Sequence, residues 1–339
     1  MPKTNKIDIC YASSDEFAIH TGISLLSLLD NNPGRIGNAY ILDYGILDNN
    51  KQNLMGICEK YGVTCTFVRS KEILTEFGQK TGIQNFRNSF ATYSRAFLDQ
   101  LLPESADKVL YIDSDTVAKG SIAELCDYDM TDKVIVGCAN SGFYGIRKDQ
   151  KDRNADLDVL TGNKLYIQCG VIMYSLANWR KFGCHEMIMA TAPKLKAMPF
   201  ADQTLINNAI PEKHFGIYSQ KYNLTNHAYC KKRSAQRMMA GGWYSKEEAY
   251  DALNNAVIIH FAGGPLQRPW YTDNGSRYTK WYLKYKALSP WKDVPLIDRK
   301  AYQNIKGFRA ELKDLLRLRA MRTNSYFLSR VYGKISRRL

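Results

Sequence analysis

No stretch of about 18 apolar residues, the length a helix needs to cross a bilayer, occurs in the 339-residue chain. The opening MPKTNKIDICYASSDEF breaks its apolar run at Asp8 and Ser13, too early for the hydrophobic region of a signal peptide. The chain is therefore expected to stay on the cytoplasmic side of any membrane it meets. Eight cysteines include no CxxC pair and no metal-ligand spacing, and Cys10, Cys138 and Cys169 lie in apolar segments where a reduced thiol packs as a small hydrophobe. No internal repeat is present. Acidic residues are scarce at one end: residues 299–339 hold 12 Lys/Arg against 2 Asp/Glu, so most of the formal charge of +14 belongs to a tail.

What remains is 45% hydrophobic and 24% charged, the composition of a globular protein with a sizeable core rather than a disordered one. The pattern suggests one large domain over residues 1–292 and a basic appendage over 293–339. Lys6–Ala12 reads as a first strand, Glu16–Leu29 as a helix stopped by Asn31-Asn32-Pro33-Gly34, Asn38–Leu42 as a strand, Asn50–Tyr61 as a helix and Val63–Val68 as a strand. This alternation is the βαβ rhythm of a parallel, doubly wound sheet. Further strands are expected at Lys108–Ile112, Val134–Ala139, Leu165–Tyr174 and Val257–Ile259, with helices at Thr92–Leu102, Leu176–Ala190 and Ala201–Ala209. Phe143–Asn163, polar and rich in Lys and Asp, reads as an excursion or lid.

Two of these strands run straight into chemistry. Lys108–Ile112 ends in Asp113-Ser114-Asp115, and carboxylates two apart on a strand end face the same way, a natural clamp for a divalent cation on a diphosphate. Val257–Ile259 ends in His260, followed by Phe261-Ala262-Gly263-Gly264-Pro265-Leu266-Gln267-Arg268-Pro269-Trp270. Two carboxylates and an imidazole suit Mn²⁺ better than a pure oxygen shell would. The glycines let the backbone approach a phosphate, and Arg268 offers it a forked donor. In open α/β sheets ligands bind beyond the carboxyl ends of strands, where these residues stand.

These segments, taken in order with Tyr11–Ala18, Thr92-Tyr93-Ser94-Arg95, Gln168-Cys169-Gly170-Val171 and Asp202-Gln203, resemble glycosyltransferase family 8 over residues 6–292. That family includes bacterial lipopolysaccharide and capsule galactosyl- and glucosyltransferases and glycogenin. The resemblance implies a GT-A type, Rossmann-like mixed sheet flanked by helices. It also implies a UDP-galactose or UDP-glucose donor, Mn²⁺ or Mg²⁺, retention of anomeric configuration, and a saccharide or lipid-linked acceptor. Carried over by position, Asp113, Asp115 and His260 hold the metal, while Ala12, Ser14 and Phe17 border the uracil. Arg95 reaches the donor sugar, Asp202 holds its hydroxyls, and Gln203 lies on the sugar face opposite the leaving group. Ser114, Gln168, Gly263 and Arg268 complete the donor set. The chain departs from the family pattern at Ser14, where an acid is common, and at Gln168, where Asn is usual. It departs again in the His260–Trp270 loop, which carries Arg268 for Lys and two extra residues. Gln203 is a poor nucleophile, which favours front-face attack by the acceptor hydroxyl.

Two other readings compete. Asp113-Ser114-Asp115-Thr116 partly fits the motif of haloacid-dehalogenase-like phosphatases, although Thr116 comes one place early. A non-catalytic protein gripping lipid or nucleic acid through the basic tail cannot explain the ordered motifs upstream; nucleic acid is not expected as a partner. The tail itself suggests a peripheral anchor at the inner face of the cytoplasmic membrane. Phe308, Leu312, Leu315 and Leu316 recur on one helical face among Lys313, Arg317 and Arg319. Asn324-Ser325 is placed to cap a second segment carrying Tyr326, Phe327, Val331, Tyr332 and Ile335. Truncation after Asp298 is accordingly expected to spare the catalytic unit.

Overall fold

The computed structural model describes residues 6–83, 90–140, 165–195, 200–225, 231–303 and 308–328. The expected excursion at Phe143–Asn163 lies outside these residues. Among them are ten strands: β1 (Ile7–Ser13), β2 (Ile36–Asp43), β3 (Thr64–Arg69), β4 (Lys108–Ile112), β5 (Thr116–Ala118), β6 (Ile135–Ala139), β7 (Ile167–Ser175), β8 (Phe215–Ile217), β9 (Leu224–Thr225) and β10 (Ile258–His260). Seven form a central sheet in the order β3-β2-β1-β4-β7-β6-β8, and three form a small second sheet in the order β5-β10-β9.

The βαβ rhythm predicts the parallel half correctly: β1 pairs in parallel with β2 and β4, and β2 with β3. The sheet is nonetheless mixed, because β7 runs antiparallel to both β4 and β6. The reversal has a consequence for the site. Ile112 at the end of β4 lies opposite Val171 near the start of β7, so Gln168, Cys169 and Gly170 arrive beside Asp113.

Period-two alternation distributes the core to both faces of the sheet. Ile9, Tyr11, Leu110 and Ile112 pack into one apolar cluster, and Cys10, Val109 and Tyr111 into the other. The helix Ala18–Asn31 is buried nearly all round, including Thr21, Ser24 and Ser27. It is covered by the central sheet on one side and by β5 and the helix Thr279–Leu288 on others. Its hydroxyls are satisfied internally, Ser24 meeting Thr116 at 2.6 Å and Ser27 accepting the Ala118 N–H at 2.9 Å.

Local corrections have local causes. The helix expected over Thr92–Leu102 is a 3-10 turn at Ala91–Phe97 followed by one α-turn at Leu98–Leu101. The helix expected over Leu176–Ala190 is two, Leu176–Lys181 and Cys184–Thr191, divided at Gly183, whose φ of 66° ends the first. All seven cysteines among the described residues are free.

The tail helix Phe308–Arg322 packs on the catalytic unit, through a stripe other than the one its sequence suggests. Leu318 and Met321 bury against Leu266, and Met321 lies over Gly275, where an added Cβ would come within 2.8 Å of its sulfur. Leu312 and Leu315 are left 42% and 60% exposed. Fully buried Arg299 ties the tail down, reaching Asp314 at 2.7 Å and Asp273 at 3.3 Å, while Arg322 reaches Asp273 at 2.7 Å. Asn324, at φ 54°, accepts from the Lys231 N–H at 2.6 Å, and the Ser325 hydroxyl accepts the Leu328 N–H at 3.2 Å, a cap at the expected place. Val331, Tyr332 and Ile335 lie outside the described residues.

A cut after Asp298 therefore strips Asp273 of both Arg299 and Arg322 and uncovers Leu266; it is not a neutral cut. Leu318→Ala, which empties a site only 5% exposed, should lower the unfolding free energy by about 2 kcal/mol or more in urea denaturation. A loss under about 0.5 kcal/mol, the range of surface substitutions, would show that the tail helix is not integral to the folded unit.

Candidate active site

The acids stand in the turn between β4 and β5, and hydroxyls fix that turn. Thr116 Oγ1 donates to the Asp113 carbonyl at 3.0 Å. The Ser114 hydroxyl lies 2.7 Å from Thr21 Oγ1 and donates to the Ala12 carbonyl at 3.1 Å, tying the turn to the end of β1. Ser114, expected among the donor contacts, thus spends its hydroxyl on the scaffold. β10 pairs with β5 in the register His260↔Thr116, and the Phe261 N–H donates to the Asp115 carbonyl at 2.8 Å. This pairing sets His260 Nε2 3.1 Å from Asp115 and 3.7 Å from Asp113. The three side chains offer ligand atoms all within 4.8 Å of one another, a cluster able to hold a metal ion.

Gly170 makes room for them. A Cβ on it would fall 2.2 Å from His260 Cε1 and 2.8 Å from Asp113 Oδ2, so no larger residue fits while the cluster converges. Its carbonyl also accepts the Asp113 N–H at 2.7 Å.

Arg95 joins this cluster to Asp202. Its guanidinium is buried, 2.9 Å from Asp113 Oδ1 and 2.9 Å from Asp202 Oδ2, and stacks 4.5 Å over Tyr111. It also donates to the Cys169 carbonyl. The Nε and Asp202 Oδ2 pair by charge without an aligned hydrogen bond. Asp202 Oδ1 instead accepts from Thr92 Oγ1 at 2.6 Å. Ala201, immediately before, holds a φ of 47°, a strained setting for a non-glycine residue.

Burial sets the protonation of these groups against their partners. Burial pushes Asp202 up to about 6 even though Arg95 opposes it. Asp113 is likewise raised by burial, with Arg95 and His260 pulling the other way. For Asp115 burial is outweighed by the charge and hydrogen bond of His260, which hold it down at about 2. His260 loses by burial but gains more from Asp115 and then Asp113, so it is raised. His20 is driven by burial down to about 3; as a neutral ring it stacks 4.0 Å from Trp270 and meets Tyr282 Oη at 2.8 Å.

A cavity of about 670 Å³ opens in front of this cluster, within the range of small-molecule sites. Of the expected residues, Ala12, Ser14, Phe17, Arg95, Ser114 and Arg268 line it, together with Asp113 and Asp115. Arg268 Nε is buried without a hydrogen-bond partner, while its guanidinium lies 5.3 Å over the Trp270 ring and its charge helps hold the Asp115 carboxyl down. Gln203, Asp202, Gln168, Gly263 and His260 do not line it; Asp202, Gln203 and His260 are buried, and Gly263 is exposed. Gln203 Oε1 accepts the Cys169 N–H at 3.0 Å. Gln168 Oε1 accepts the Gly170 N–H at 2.8 Å and a bond from Asn223, so it braces the backbone. Gly263 holds a φ of 124°, reserved for glycine, against the Gln267 side chain. Asn223 and His20 were not singled out from the sequence: Asn223 sits just before the two-residue β9, and His20 looks like one polar residue in an apolar helix.

The family model described as glycosyl transferase family 8 matches residues 8–274. General stress protein A of Bacillus subtilis is 23% identical over 298 residues, spanning 87% of this chain and 98% of that protein. Lipopolysaccharide 1,3-galactosyltransferase of Salmonella typhimurium is 20% identical over 87% of this chain and 82% of its own length. Among solved structures, galactosyltransferase LgtC in complex with donor and acceptor sugar analogs superposes with a TM-score of 0.66 at 18% identity, covering 84% of this chain and 96% of that one. The apo bifunctional glycosyltransferase WbbM gives 0.68 at 19% identity, covering 85% of this chain and 50% of that one. These likenesses identify the fold as that of the GT-A glycosyltransferases, and the phosphatase reading has no support in them.

With Mn²⁺ as the probe ion, Gly170→Ala should weaken any binding of a divalent cation at the three side chains at least about tenfold, as losses in the shell around a metal typically do, because its methyl group occupies the space of His260 and Asp113. Titration by electron paramagnetic resonance tests this; an unchanged affinity would show that the three side chains do not act together on a cation.

Proposed function

The chain belongs to glycosyl transferase family 8, and we propose that it is a retaining hexosyltransferase that moves galactose or glucose from a UDP-sugar to a saccharide or lipid-linked acceptor in cell-surface polysaccharide synthesis. The observation that carries this reading is that the two acids of the Asp113–Asp115–His260 cluster line the same cleft as Arg268, whose Nε has no hydrogen-bond partner. Two carboxylates with an imidazole, in a cradle that a single Cβ would fill, fit a divalent ion and favour Mn²⁺, with Mg²⁺ second. Such an ion supplies positive charge where the bond from the sugar to the diphosphate breaks and negative charge collects.

The chain's own residues do the rest. Arg268 offers its guanidinium to the departing diphosphate. Ala12, Ser14 and Phe17 border the base at the end of β1, where the edge of the Phe17 ring meets His20 at 5.5 Å between centroids. Arg95, Asp202 and Gln203 orient the sugar: Arg95 holds Asp202, and the Gln203 amide is itself held by the Cys169 N–H. An amide is a poor nucleophile and Asp202 is engaged by Arg95 and Thr92, which supports front-face attack by the acceptor hydroxyl over a covalent intermediate. The relatives named for lipopolysaccharide galactosyl and glucosyl transfer support a lipid-linked saccharide as acceptor.

With Mn²⁺ present, purified protein should hydrolyse UDP-galactose or UDP-glucose in a panel of UDP-, GDP- and ADP-sugars. Asp113→Asn and Asp115→Asn should abolish turnover, and Arg268→Ala should lower kcat by about 10²–10³. A preference for GDP- or ADP-sugars would remove the UDP-hexose donor, and full activity of either Asp variant would remove the metal clamp.

The reading extends to the tail as a peripheral anchor on the inner face of the cytoplasmic membrane. No helix among the described residues is long and apolar enough to cross a membrane. Leu312, Leu315 and Phe327 stand 42%, 60% and 73% exposed, Arg319 on the same helix as the two leucines is exposed as well, and each basic residue near an anionic leaflet contributes about 1 kcal/mol. Substituting Leu312 and Leu315 together by Glu, away from the buried Leu318–Met321 stripe, should abolish flotation with anionic liposomes and leave donor hydrolysis unchanged. Undiminished flotation would count against the anchor.

A further inference from the structure

His260 is buried, and its two ring nitrogens have different neighbours. Nε2 faces the carboxylates, while Nδ1 lies 3.0 Å from Asn223 Oδ1. On the reading that Asp113, Asp115 and His260 hold a divalent cation, we propose that Asn223 is a positioning residue that keeps the proton of His260 on Nδ1 and leaves Nε2 as the metal ligand, and that Gln168 holds Asn223 in the orientation this requires.

The argument starts from a donor that cannot be reversed. The backbone N–H of Gly170 donates to Gln168 at 2.8 Å, so the atom of Gln168 that meets it is the oxygen. The same oxygen receives a bond from Asn223, so the atom of Asn223 that meets Gln168 is the amide nitrogen. The Asn223 oxygen is thereby left facing His260. An amide oxygen has only lone pairs to offer, so Nδ1 must bring the hydrogen, and Nε2 is the nitrogen whose lone pair can serve a cation. Turning either amide over would set oxygen against oxygen or NH₂ against N–H. Asn223 is 1% exposed, so no bulk water is at hand to repair the mismatch. Gln168 Nε2 lies 3.5 Å from Nδ1, at the limit of a hydrogen bond and behind the shorter contact to Asn223. The carbonyl of the same Gly170 accepts the Asp113 N–H, so one peptide segment of β7 sets the direction of two of the three ligands.

This assigns Gln168 a role different from a contact with the donor sugar. A side chain one methylene shorter than Gln would have less reach from β7 to Asn223, so the Gln at this position and the Asn at 223 act as a pair.

The test measures Mn²⁺ on the full chain without donor. Affinity is read from the free-ion electron paramagnetic resonance signal, and the ¹⁴N modulation of bound Mn²⁺ in pulsed spectra reports the imidazole. Asn223→Leu should weaken binding by about 10- to 100-fold and lose the nitrogen modulation. Asn223→Asp gives up the bond to Gln168 but keeps an acceptor toward Nδ1, and should retain the modulation and most of the affinity. Gln168→Met should fall between them. Wild-type affinity and modulation in Asn223→Leu would overturn the proposal, as would an Asp variant that loses both, since that outcome marks a packing role. Should Asn223→Leu fail to fold, the Asp and Met variants decide alone. His260→Ala separates the two levels. If it binds Mn²⁺ as the wild type does, the metal reading falls and the proposal with it. If it loses binding while Asn223→Leu does not, the proposal alone falls.

Discussion

Three carboxylates, Asp113, Asp115 and Asp202, converge where the cleft meets the core, Asp202 buried and the other two partly so, and the buried guanidinium of Arg95 is what permits it. It sits within ion-pair distance of two of them and donates from Nη1 to the Cys169 carbonyl. Burying one such anion without a partner is costly, because the lost hydration is not replaced. The planar fork serves here as an ammonium could not: one face lies on Tyr111 while the edge addresses acids from β4 and from the helix Asp202–Ala209. The short 3-10 turn that carries Arg95 is therefore the joint between the two halves of the site. The third acid, Asp115, is met from the other side by His260, whose Nε2 lies 3.1 Å away.

The topology follows the same need. A purely parallel sheet would bring the end of each strand to the site and the start of none. Reversing β7 places its first residues there, and two of them act through the backbone: Cys169 offers its N–H to Gln203 and its carbonyl to Arg95, and Gly170 offers its carbonyl to Asp113. A glycine is needed where strand and side chains approach most closely. The acids come from β4, and β7 sets where they point.

This division of labour explains what the sequence made legible. The Asp113-Ser114-Asp115 turn announces itself because an apolar strand precedes it, and His260 because glycines and Arg268 follow an apolar tripeptide. The pairing of β5 with β10, which joins these two signals, is three residues long and has no periodicity to detect. Asn223 is invisible for a related reason, since it lies beside a two-residue strand and acts through a side chain 37 positions away. The direction of Gln168 is not legible, because a polar residue on a strand can face a cleft or brace a backbone, and its bonds to Gly170 and Asn223 belong to the fold. In the tail the helix is legible, but the apolar stripe its sequence displays, with Leu312 and Leu315, is the exposed one. Leu318 and Met321 are buried because Leu266 and Gly275 wait for them, which no pattern within the tail encodes.

The His260–Trp270 loop shows how tail and site meet. Arg268 stands between two anchors: Leu266 is buried under Leu318 and Met321, and Trp270 lies flat on His20. Within the loop, Gly263 turns the chain and Gln267 Oε1 accepts the Gly264 N–H at 3.2 Å, so the backbone leading to Arg268 is ordered before any anion arrives. A long cation on an untethered loop would lose rotamer freedom on meeting a diphosphate, and that loss would subtract from its stabilising effect. Anchoring the residues on either side removes part of the loss in advance. The two extra residues of this loop thus do not by themselves mean slack, since the tail helix holds the segment they lengthen. The tail is in this sense a structural part of the active site, whatever its exposed face binds.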